Sequence, residues 1–169
     1  SVPGMDATLD MYWNDSIERQ RADVHYIVAN ATAGETQTLL VAIGAVPYKC
    51  PVAPFEAAFI ADDVIRRAGV RDKVDIVVTA PVAWPLPDPA KEVFVRLFEE
   101  KNVRFLPEKT VVSIEGGVKA SFADGDAIAA SKIWSVYPQR APDFVKATGA
   151  CNPRGFVPVN IATNGVEGS

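Results

Sequence analysis

The chain begins with apolar residues at helical spacing and continues with short apolar runs of the kind that form strands. Over residues 6–29, apolar side chains recur at spacings of roughly three to four, which predicts one amphipathic helix capped by Asp6. Residues 38–43 form a mostly apolar run that ends at Gly44. Because this run is too short for a helix, it predicts a strand that is covered on both faces, as in a parallel sheet.

Helical and strand patterns then alternate along the chain. Helices are predicted over residues 55–68 and 91–101, and strands over 74–79 and 104–106. Residues 80–89 are rich in proline and predict an extended loop. A strand, a helix and a second strand in this order form a βαβ unit, for which a right-handed crossover is expected.

After residue 106 the apolar period changes to two. Residues 110–115 and 118–122 predict a hairpin that turns at two adjacent glycines. Further short strands are predicted over 127–130 and 132–136. This succession of elements predicts an α/β fold, namely a Rossmann-like three-layer domain with a parallel sheet and a β-meander.

The pattern also divides the chain into three segments. We expect an N-terminal helix and linker over 1–35, a Rossmann-like domain over 36–138 and an arm over 139–169. Proline and glycine interrupt the arm, in which one short strand is predicted over 156–160. Because the chain has no initiator methionine and ends in a polar tail over 164–169, we expect a piece of a longer protein.

Composition and charge narrow the function classes. A chain of 169 residues forms about one domain, and 49% hydrophobic against 22% charged residues excludes a disordered chain. The formal charge of −4, with scattered basic residues, excludes a typical nucleic-acid-binding protein. No apolar run approaches the roughly 18 residues of a membrane-spanning helix. Two cysteines are too few for a secreted scaffold that disulfides hold together.

The loop after the 38–43 strand is the first place to look for a binding site, because ligands of parallel sheets bind beyond the carboxyl ends of the strands. A dinucleotide loop has the pattern G-x-G-x-x-G, and of these glycines only Gly44 is present. Pro51 and Pro54 also remove two N–H donors. The strand that ends at Thr79 lacks the acidic residue that binds a ribose hydroxyl. Binding of NAD is therefore not expected.

Cys50 is the main candidate for chemistry in this loop. It follows Lys49 directly and precedes a helix N-terminus by a few residues, and both features favour the thiolate. Glu56, six residues on, is close enough to face the same pocket. A thiolate with a nearby carboxylate predicts a redox or sulfur-transfer pair. The alternative is a buried, inert Cys50 with Glu56 stabilising the helix dipole, and the pattern alone leaves both open.

Three other residues are weaker candidates for a functional role. His25 has no second histidine or cysteine at ligand spacing, so a structural role is expected and no metal site is predicted. A disulfide between Cys50 and Cys151 is an alternative that two cysteines alone cannot establish. Trp84 is either a loop-anchoring aromatic or a residue that faces a quinone or a partner protein.

A family resemblance favours the redox interpretation of Cys50. The run from Tyr48 to Phe59, with the letters YKCPVAPFEAAF, resembles the flavoprotein subunit of flavocytochrome c sulfide dehydrogenase and the related sulfide:quinone oxidoreductases. Residues 66–74, 137–141 and 149–159 extend this similarity, which covers most of the chain from about position 38 onward.

The resemblance implies a place in the FAD-dependent pyridine nucleotide-disulfide oxidoreductase superfamily, with an FAD/NAD(P)-binding fold. In that superfamily the FAD domain is split around a central NAD-like domain, to which this chain corresponds, together with a return arm. The resemblance implies that Cys50 is half of a redox-active disulfide beside the flavin and that Glu56 is the base. We assign cofactor contact to Tyr48, Lys49 and Pro51. The partner cysteine of the family lies further downstream, and Cys151 does not match it.

The resemblance also implies an activity. It is the oxidation of sulfide or a related small thiol, with electrons passing to FAD and then to a cytochrome or a quinone. The expected partner is an FAD-binding domain outside this chain, without which the fragment is expected to be inactive. The implied location is the periplasm or the membrane periphery, with membrane association only through that missing part. Two alternatives stay open: a non-catalytic interaction module that docks through the Trp84 loop, and an NADH-dependent flavoprotein domain.

Overall fold

The computed structural model describes residues 2–86 and 88–166, which fall into two units, one ending at Pro138 and the other beginning at Gln139. Ser1, Pro87 and residues 167–169 lie outside the described residues. Pro87 is part of the extended loop predicted over 80–89, and residues 167–169 are the end of the predicted polar tail.

The helices and strands of the larger unit alternate over most of its length. In chain order they are β1 (Leu9–Asp10), α1 (Ser16–Thr32), β2 (Gln37–Ile43), α2 (Ala53–Arg67), β3 (Val74–Thr79), α3 (Asp88–Lys101), β4 (Arg104–Leu106), β5 (Val111–Glu115), β6 (Lys119–Phe122), β7 (Ala127–Ala129) and β8 (Lys132–Val136). The smaller unit contains α4 (Asp143–Lys146).

A parallel sheet with the strand order β1-β8-β2-β3-β4 is the centre of the larger unit. Strand β2 pairs with β3 on one side, where Leu39 is opposite Ile76, and with β8 on the other, where Val41 is opposite Trp134. Strands β5, β6 and β7 form a separate antiparallel sheet, which is the predicted meander. The predicted α/β fold with a parallel sheet is therefore confirmed.

Both faces of the parallel sheet are covered, which gives the unit three layers. Alternate residues of a strand point to opposite faces. Accordingly, Leu39 and Val41 pack with the side chains of α1, α2 and α3. Leu40 and Ala42 pack with the meander on the other face, together with Phe122. This double burial is the reason that the strand is an almost continuous apolar run.

The predicted N-terminal helix over 6–29 is wrong in its first half. Met5–Ala7 form a 3-10 turn, and the helix begins only at Ser16. Between them, Leu9 pairs with Trp134 of β8, and the Thr8 hydroxyl donates a hydrogen bond to the Met5 carbonyl. Pairing with a strand more than a hundred residues away overrides the local helical spacing, which sequence periodicity does not detect.

The smaller unit also differs from the prediction. No strand forms over 156–160, where Val159 makes only an isolated bridge to Val166. The Asn160 side chain accepts hydrogen bonds from the backbone N–H groups of Ala162 and Thr163, and this turns the chain instead of extending it.

A buried ion cluster joins the ends of two helices at the edge of the sheet opposite the β2 loop. Asp62 of α2 is fully buried and accepts hydrogen bonds from Arg66 at 2.8 Å and Arg71 at 2.5 Å, while the Lys101 ammonium of α3 lies 3.6 Å away. Burial alone would raise the pKa of Asp62, but the hydrogen bonds from the two guanidinium groups lower it below its usual value.

Replacing Asp62 with asparagine is expected to lower the free energy of unfolding by roughly 3 kcal/mol at neutral pH, because two guanidinium groups lose their charged partner. Since the fold lowers the pKa of Asp62, its contribution is complete above the usual value of 3.8 and is lost as the pH falls below it. Urea unfolding should therefore show a gap between wild type and Asp62→Asn that closes in acid. A gap that is equally large in acid would contradict this assignment.

Candidate functional site

The loops that follow parallel strands meet at the carboxyl edge of the sheet. Tyr12 follows β1, Cys50 lies in the loop after β2, and Trp84 lies in the loop after β3. Tyr137 follows β8, and its hydroxyl donates a hydrogen bond to the Met5 carbonyl at 2.5 Å. The Cys50 loop, in which the sequence predicts the site, therefore lies at the carboxyl edge of the parallel sheet.

Gly44 is required by close packing. A Cβ atom at this position would lie 2.9 Å from the Val136 carbonyl oxygen and 2.8 Å from the Met5 side chain. The Gly44 N–H is also occupied, because it donates to the Val136 carbonyl at 3.0 Å. With two prolines following in the loop, these residues do not fit the pyrophosphate of a dinucleotide, whether NAD or FAD.

Cys50 has an exposed thiol and a left-handed backbone, with φ of 49°. Two donors hold its carbonyl: the Ala53 N–H at 3.0 Å and the Tyr12 hydroxyl at 3.1 Å. These bonds stabilise a conformation that non-glycine residues seldom adopt. The exposure excludes the alternative in which Cys50 is a buried apolar residue. Both cysteines of the chain, Cys50 and Cys151, carry free thiols.

Two tyrosines support the loop around Cys50. Tyr48 is buried, and its hydroxyl donates to the Pro51 carbonyl at 2.9 Å. Burial is the largest cause that raises the pKa of both Tyr12 and Tyr48; electrostatic interaction with Tyr12 raises that of Tyr48 further, and interaction with Cys50 raises both. Both hydroxyls therefore stay protonated and remain donors in neutral solution. Tyr48 and Pro51, which we assigned to cofactor contact, thus bond to each other.

Replacing Tyr12 with phenylalanine is expected to lower the free energy of unfolding by about 1 kcal/mol near pH 8, because the hydrogen bond to Cys50 is lost. Since the fold raises the pKa of Tyr12, the unfolded phenol ionises first, so the wild type loses stability as the pH rises above about 10. Urea unfolding at increasing pH should show the gap between the two proteins narrowing. A gap independent of pH would contradict the raised pKa.

Cys50 and Glu56 line the same groove, as the sequence analysis expects. The groove lies between α1 and α2 above Trp134, and has a volume of about 830 Å³. Lys49 lines it as well, and its ammonium lies 5.1 Å from the centre of the Tyr12 ring. A cation and a carboxylate therefore border the same space as the exposed cysteine; a cation can stabilise a thiolate, and a carboxylate can accept a proton.

Trp84 anchors its loop. The side chain is half-buried, with its ring centre 5.7 Å from that of Phe55 and 5.4 Å from that of Phe105. The sequence left two roles open for Trp84, and these ring contacts are those of a loop-anchoring aromatic residue. His25 of α1 is exposed and also lines the groove.

Tyr12 was not predicted as a site residue, because the apolar spacing indicates a helix over residues 6–29 that includes it. The strand β1 and its pairing with β8 put Tyr12 beside the Cys50 loop. The local signal for a later helix start was the polar run of residues 14–16, whose residue types favour a helix N-terminus.

Residues 2–86 and 88–166 contain no group of three or more histidine, cysteine, aspartate or glutamate side chains that could hold a metal ion. No helix among them is both long and apolar enough to cross a membrane.

Comparison with known proteins places the fold. No family model matches the chain. Among solved structures, the sulfide:quinone oxidoreductase of the hyperthermophilic bacterium Aquifex aeolicus superposes with a TM-score of 0.73 at 15% identity, over 91% of this chain and 37% of that one. Reduced CoADR-RHD of Bacillus anthracis gives a TM-score of 0.55 at 17% identity, over 95% of this chain and 27% of that one.

A third match is a chain of the mitochondrial ATP synthase of Tetrahymena thermophila, with a TM-score of 0.56 at 16% identity, over 77% of this chain and 34% of that one. At such identities the likeness shows the fold alone. The chain has a Rossmann-like α/β fold, as these structures do. It spans well under half the length of the structures that it matches.

Proposed function

We propose that this chain is the central domain of an FAD-dependent oxidoreductase that oxidises sulfide, or a related small thiol, through Cys50. The observation that carries the proposal is the exposed Cys50 thiol at the carboxyl edge of the parallel sheet, in one groove with Glu56. Because the β2 loop does not fit a pyrophosphate, the FAD is held by a domain outside this chain.

In this proposal, electrons leave Cys50 through a flavin and a further acceptor. The flavin, when bound, supplies an acceptor for two electrons, and a cytochrome or a quinone receives them afterwards. The location that goes with these acceptors is the periplasm or the membrane periphery. Support for these acceptors and this location comes from the resemblance of residues 48–59 to the sulfide dehydrogenases.

The sulfur chemistry at Cys50 begins from a disulfide between Cys50 and a second thiol. Hydrosulfide attacks the Cys50 sulfur, a new S–S bond forms, and the second thiol leaves as a thiolate with the electron pair of the broken bond. The product is a persulfide on Cys50. The step needs a Cys50 sulfur that solvent can reach, which its exposure provides.

Glu56 handles the proton in this proposal. It lies in the first turn of α2 and is exposed to solvent in the groove that Cys50 lines. A carboxylate there can accept the proton of a hydrogen sulfide molecule as its sulfur attacks, which makes the neutral form of the substrate reactive.

The test is replacement of Cys50 by serine in the flavin-loaded protein that carries this chain. Sulfide-dependent flavin reduction should be abolished, because the serine oxygen cannot form a disulfide or a persulfide. Cys151→Ser is the matched control and should reduce its flavin at the wild-type rate. Unchanged flavin reduction in Cys50→Ser would overturn the proposal.

A further inference from the structure

Cys50 has a backbone conformation that its residue type does not favour. Its φ of 49° lies in the left-handed region, where the Cβ atom of a non-glycine residue crowds the backbone. Asn102 and Asn164 also have a positive φ, but asparagine is a residue type that tolerates this region. A cysteine has no such preference, so its surroundings hold the conformation.

The Cys50 carbonyl accepts two hydrogen bonds that hold this conformation. The Ala53 N–H donates at 3.0 Å and belongs to the same turn of the chain. The Tyr12 hydroxyl donates at 3.1 Å from a residue that precedes Cys50 by 38 positions. The first bond is local to the turn, whereas the second joins the turn to another element. Tyr12 is therefore the contact that fixes the Cys50 backbone relative to the sheet.

The parallel sheet holds Tyr12 itself in place. Tyr12 follows β1, and the N–H of the preceding Met11 donates to the carbonyl of Ser135 in β8 at 3.0 Å. Ser135 is fully buried, and β8 pairs with β2 as well as with β1. The Tyr12 N–H donates to the Asp10 carboxylate at 3.0 Å. The position of the Tyr12 hydroxyl is thus set by strands at the centre of the fold.

The ring of Tyr12 contacts the residue before Cys50. The Lys49 ammonium lies 5.1 Å from the ring centre, which is within the range of a cation–π interaction. One side chain thereby contacts two consecutive residues of the loop, Cys50 through its hydroxyl and Lys49 through its ring. Phenylalanine at position 12 would keep the ring contact and lose the hydroxyl bond, so a single substitution separates the two.

Resting on the proposed function of Cys50, we infer that Tyr12 is a positioning residue for the Cys50 sulfur. Its hydroxyl holds the Cys50 backbone left-handed, and this backbone sets the direction of the Cα–Cβ bond that carries the sulfur. In the proposed step, hydrosulfide attacks the Cys50 sulfur and the second thiol leaves with the electron pair of the broken S–S bond. Because the attack proceeds along the bond that breaks, its rate depends on where that bond points.

The first test compares single turnovers of flavin reduction by sulfide in the flavin-loaded protein that carries this chain. Tyr12→Phe should lower the rate at saturating sulfide roughly tenfold, the size of effect that one hydrogen bond allows. The sulfide concentration that gives half of this rate should stay unchanged, because Tyr12 acts on the Cys50 backbone and not on sulfide. Tyr26→Phe is the matched control and should keep the wild-type rate. Tyr26 is exposed on α1 and likewise has a lysine ammonium, that of Lys132, 4.4 Å from its ring centre.

A rescue variant distinguishes the hydrogen bond from an acid–base role of the phenol. 4-Aminophenylalanine introduced at position 12 carries a hydrogen-bond donor in the place of the phenol oxygen, but this amino group does not replace the phenol as an acid. It should restore most of the rate that Tyr12→Phe loses. Circular dichroism checks that all of these proteins are folded.

A second readout follows the Cys50 backbone directly. In the chain with Cys151→Ser, carbon-13 cysteine labels Cys50 alone, because the sequence contains two cysteines. The chemical shifts of its Cα and Cβ atoms report the backbone conformation. Tyr12→Phe should move these shifts away from left-handed values, and 4-aminophenylalanine should return them. Tyr26→Phe should leave them unchanged, as should any loss of stability that does not act on Cys50.

The outcomes separate this inference from the proposed function. If Tyr12→Phe leaves either the rate or the Cys50 shifts unchanged while Cys50→Ser is inactive, the inference is overturned and the sulfide chemistry at Cys50 stands. The same holds if 4-aminophenylalanine restores neither quantity, since the hydrogen bond is then not the cause. Flavin reduction at the wild-type rate in Cys50→Ser would overturn the proposed function and the positioning role with it.

Discussion

Replacing Phe55 with alanine is expected to lower the free energy of unfolding by roughly 4 kcal/mol, because truncating a fully buried phenylalanine removes apolar contacts and leaves a cavity. The Phe55 ring centre lies 5.1 Å from that of Phe98, 5.4 Å from that of Phe94 and 5.7 Å from that of Trp84. The residue therefore joins α2 to α3 and to the loop after β3.

Urea unfolding followed by circular dichroism measures this effect. Phe144→Ala is the matched control, since that ring is 76% exposed on α4 and its loss should change the free energy of unfolding by less than about 0.5 kcal/mol. If Phe55→Ala lowered the free energy of unfolding no more than the control does, the aromatic cluster would not hold the beginning of α2 in place. It would then not position the Cys50 loop either.

Replacing Glu56 with glutamine is expected to slow sulfide-dependent flavin reduction roughly a hundredfold in the flavin-loaded protein, because the proposed general base is removed. Glutamine has the same shape and cannot accept the proton. Cys50 is untouched, so its alkylation rate should stay close to that of the wild type.

The pH dependence separates this role from a structural one. If Glu56 removes a proton from hydrogen sulfide, the defect of Glu56→Gln should shrink as the pH rises and hydrosulfide becomes the main form of the substrate. Glu99→Gln on α3 is a control of the same chemistry, in an exposed position outside the groove. A rate defect of equal size at all pH values would show that Glu56 does not transfer this proton.

Much of the sheet could be predicted from the sequence because its strands are short apolar runs. Strands β3, β4 and β8 have the bounds that the pattern predicts, and β2 differs by one residue. Strands β2, β3 and β8 are buried on both faces, so their sequences are mostly apolar, and a local pattern can detect such runs.

The N-terminal region and the groove could not be predicted in the same way. Strand β1 is two residues long and exists because it pairs with β8, a contact that no local window contains. Tyr12 reaches Cys50 only through that pairing. The groove depends on how α1 and α2 lie over Trp134, which follows from the packing of three separate elements. The sequence did predict that Cys50 and Glu56 share a pocket, because Glu56 follows Cys50 by six positions, across a loop and the start of a helix.

Detection of sulfur on Cys50 tests the central claim most directly. The flavin-loaded protein is treated with sulfide, persulfides are trapped by alkylation, and the peptides that contain Cys50 and Cys151 are compared by mass spectrometry. The account predicts one additional sulfur atom on the Cys50 peptide and none on the Cys151 peptide. Flavin that becomes reduced by sulfide while the Cys50 peptide gains no sulfur would contradict it.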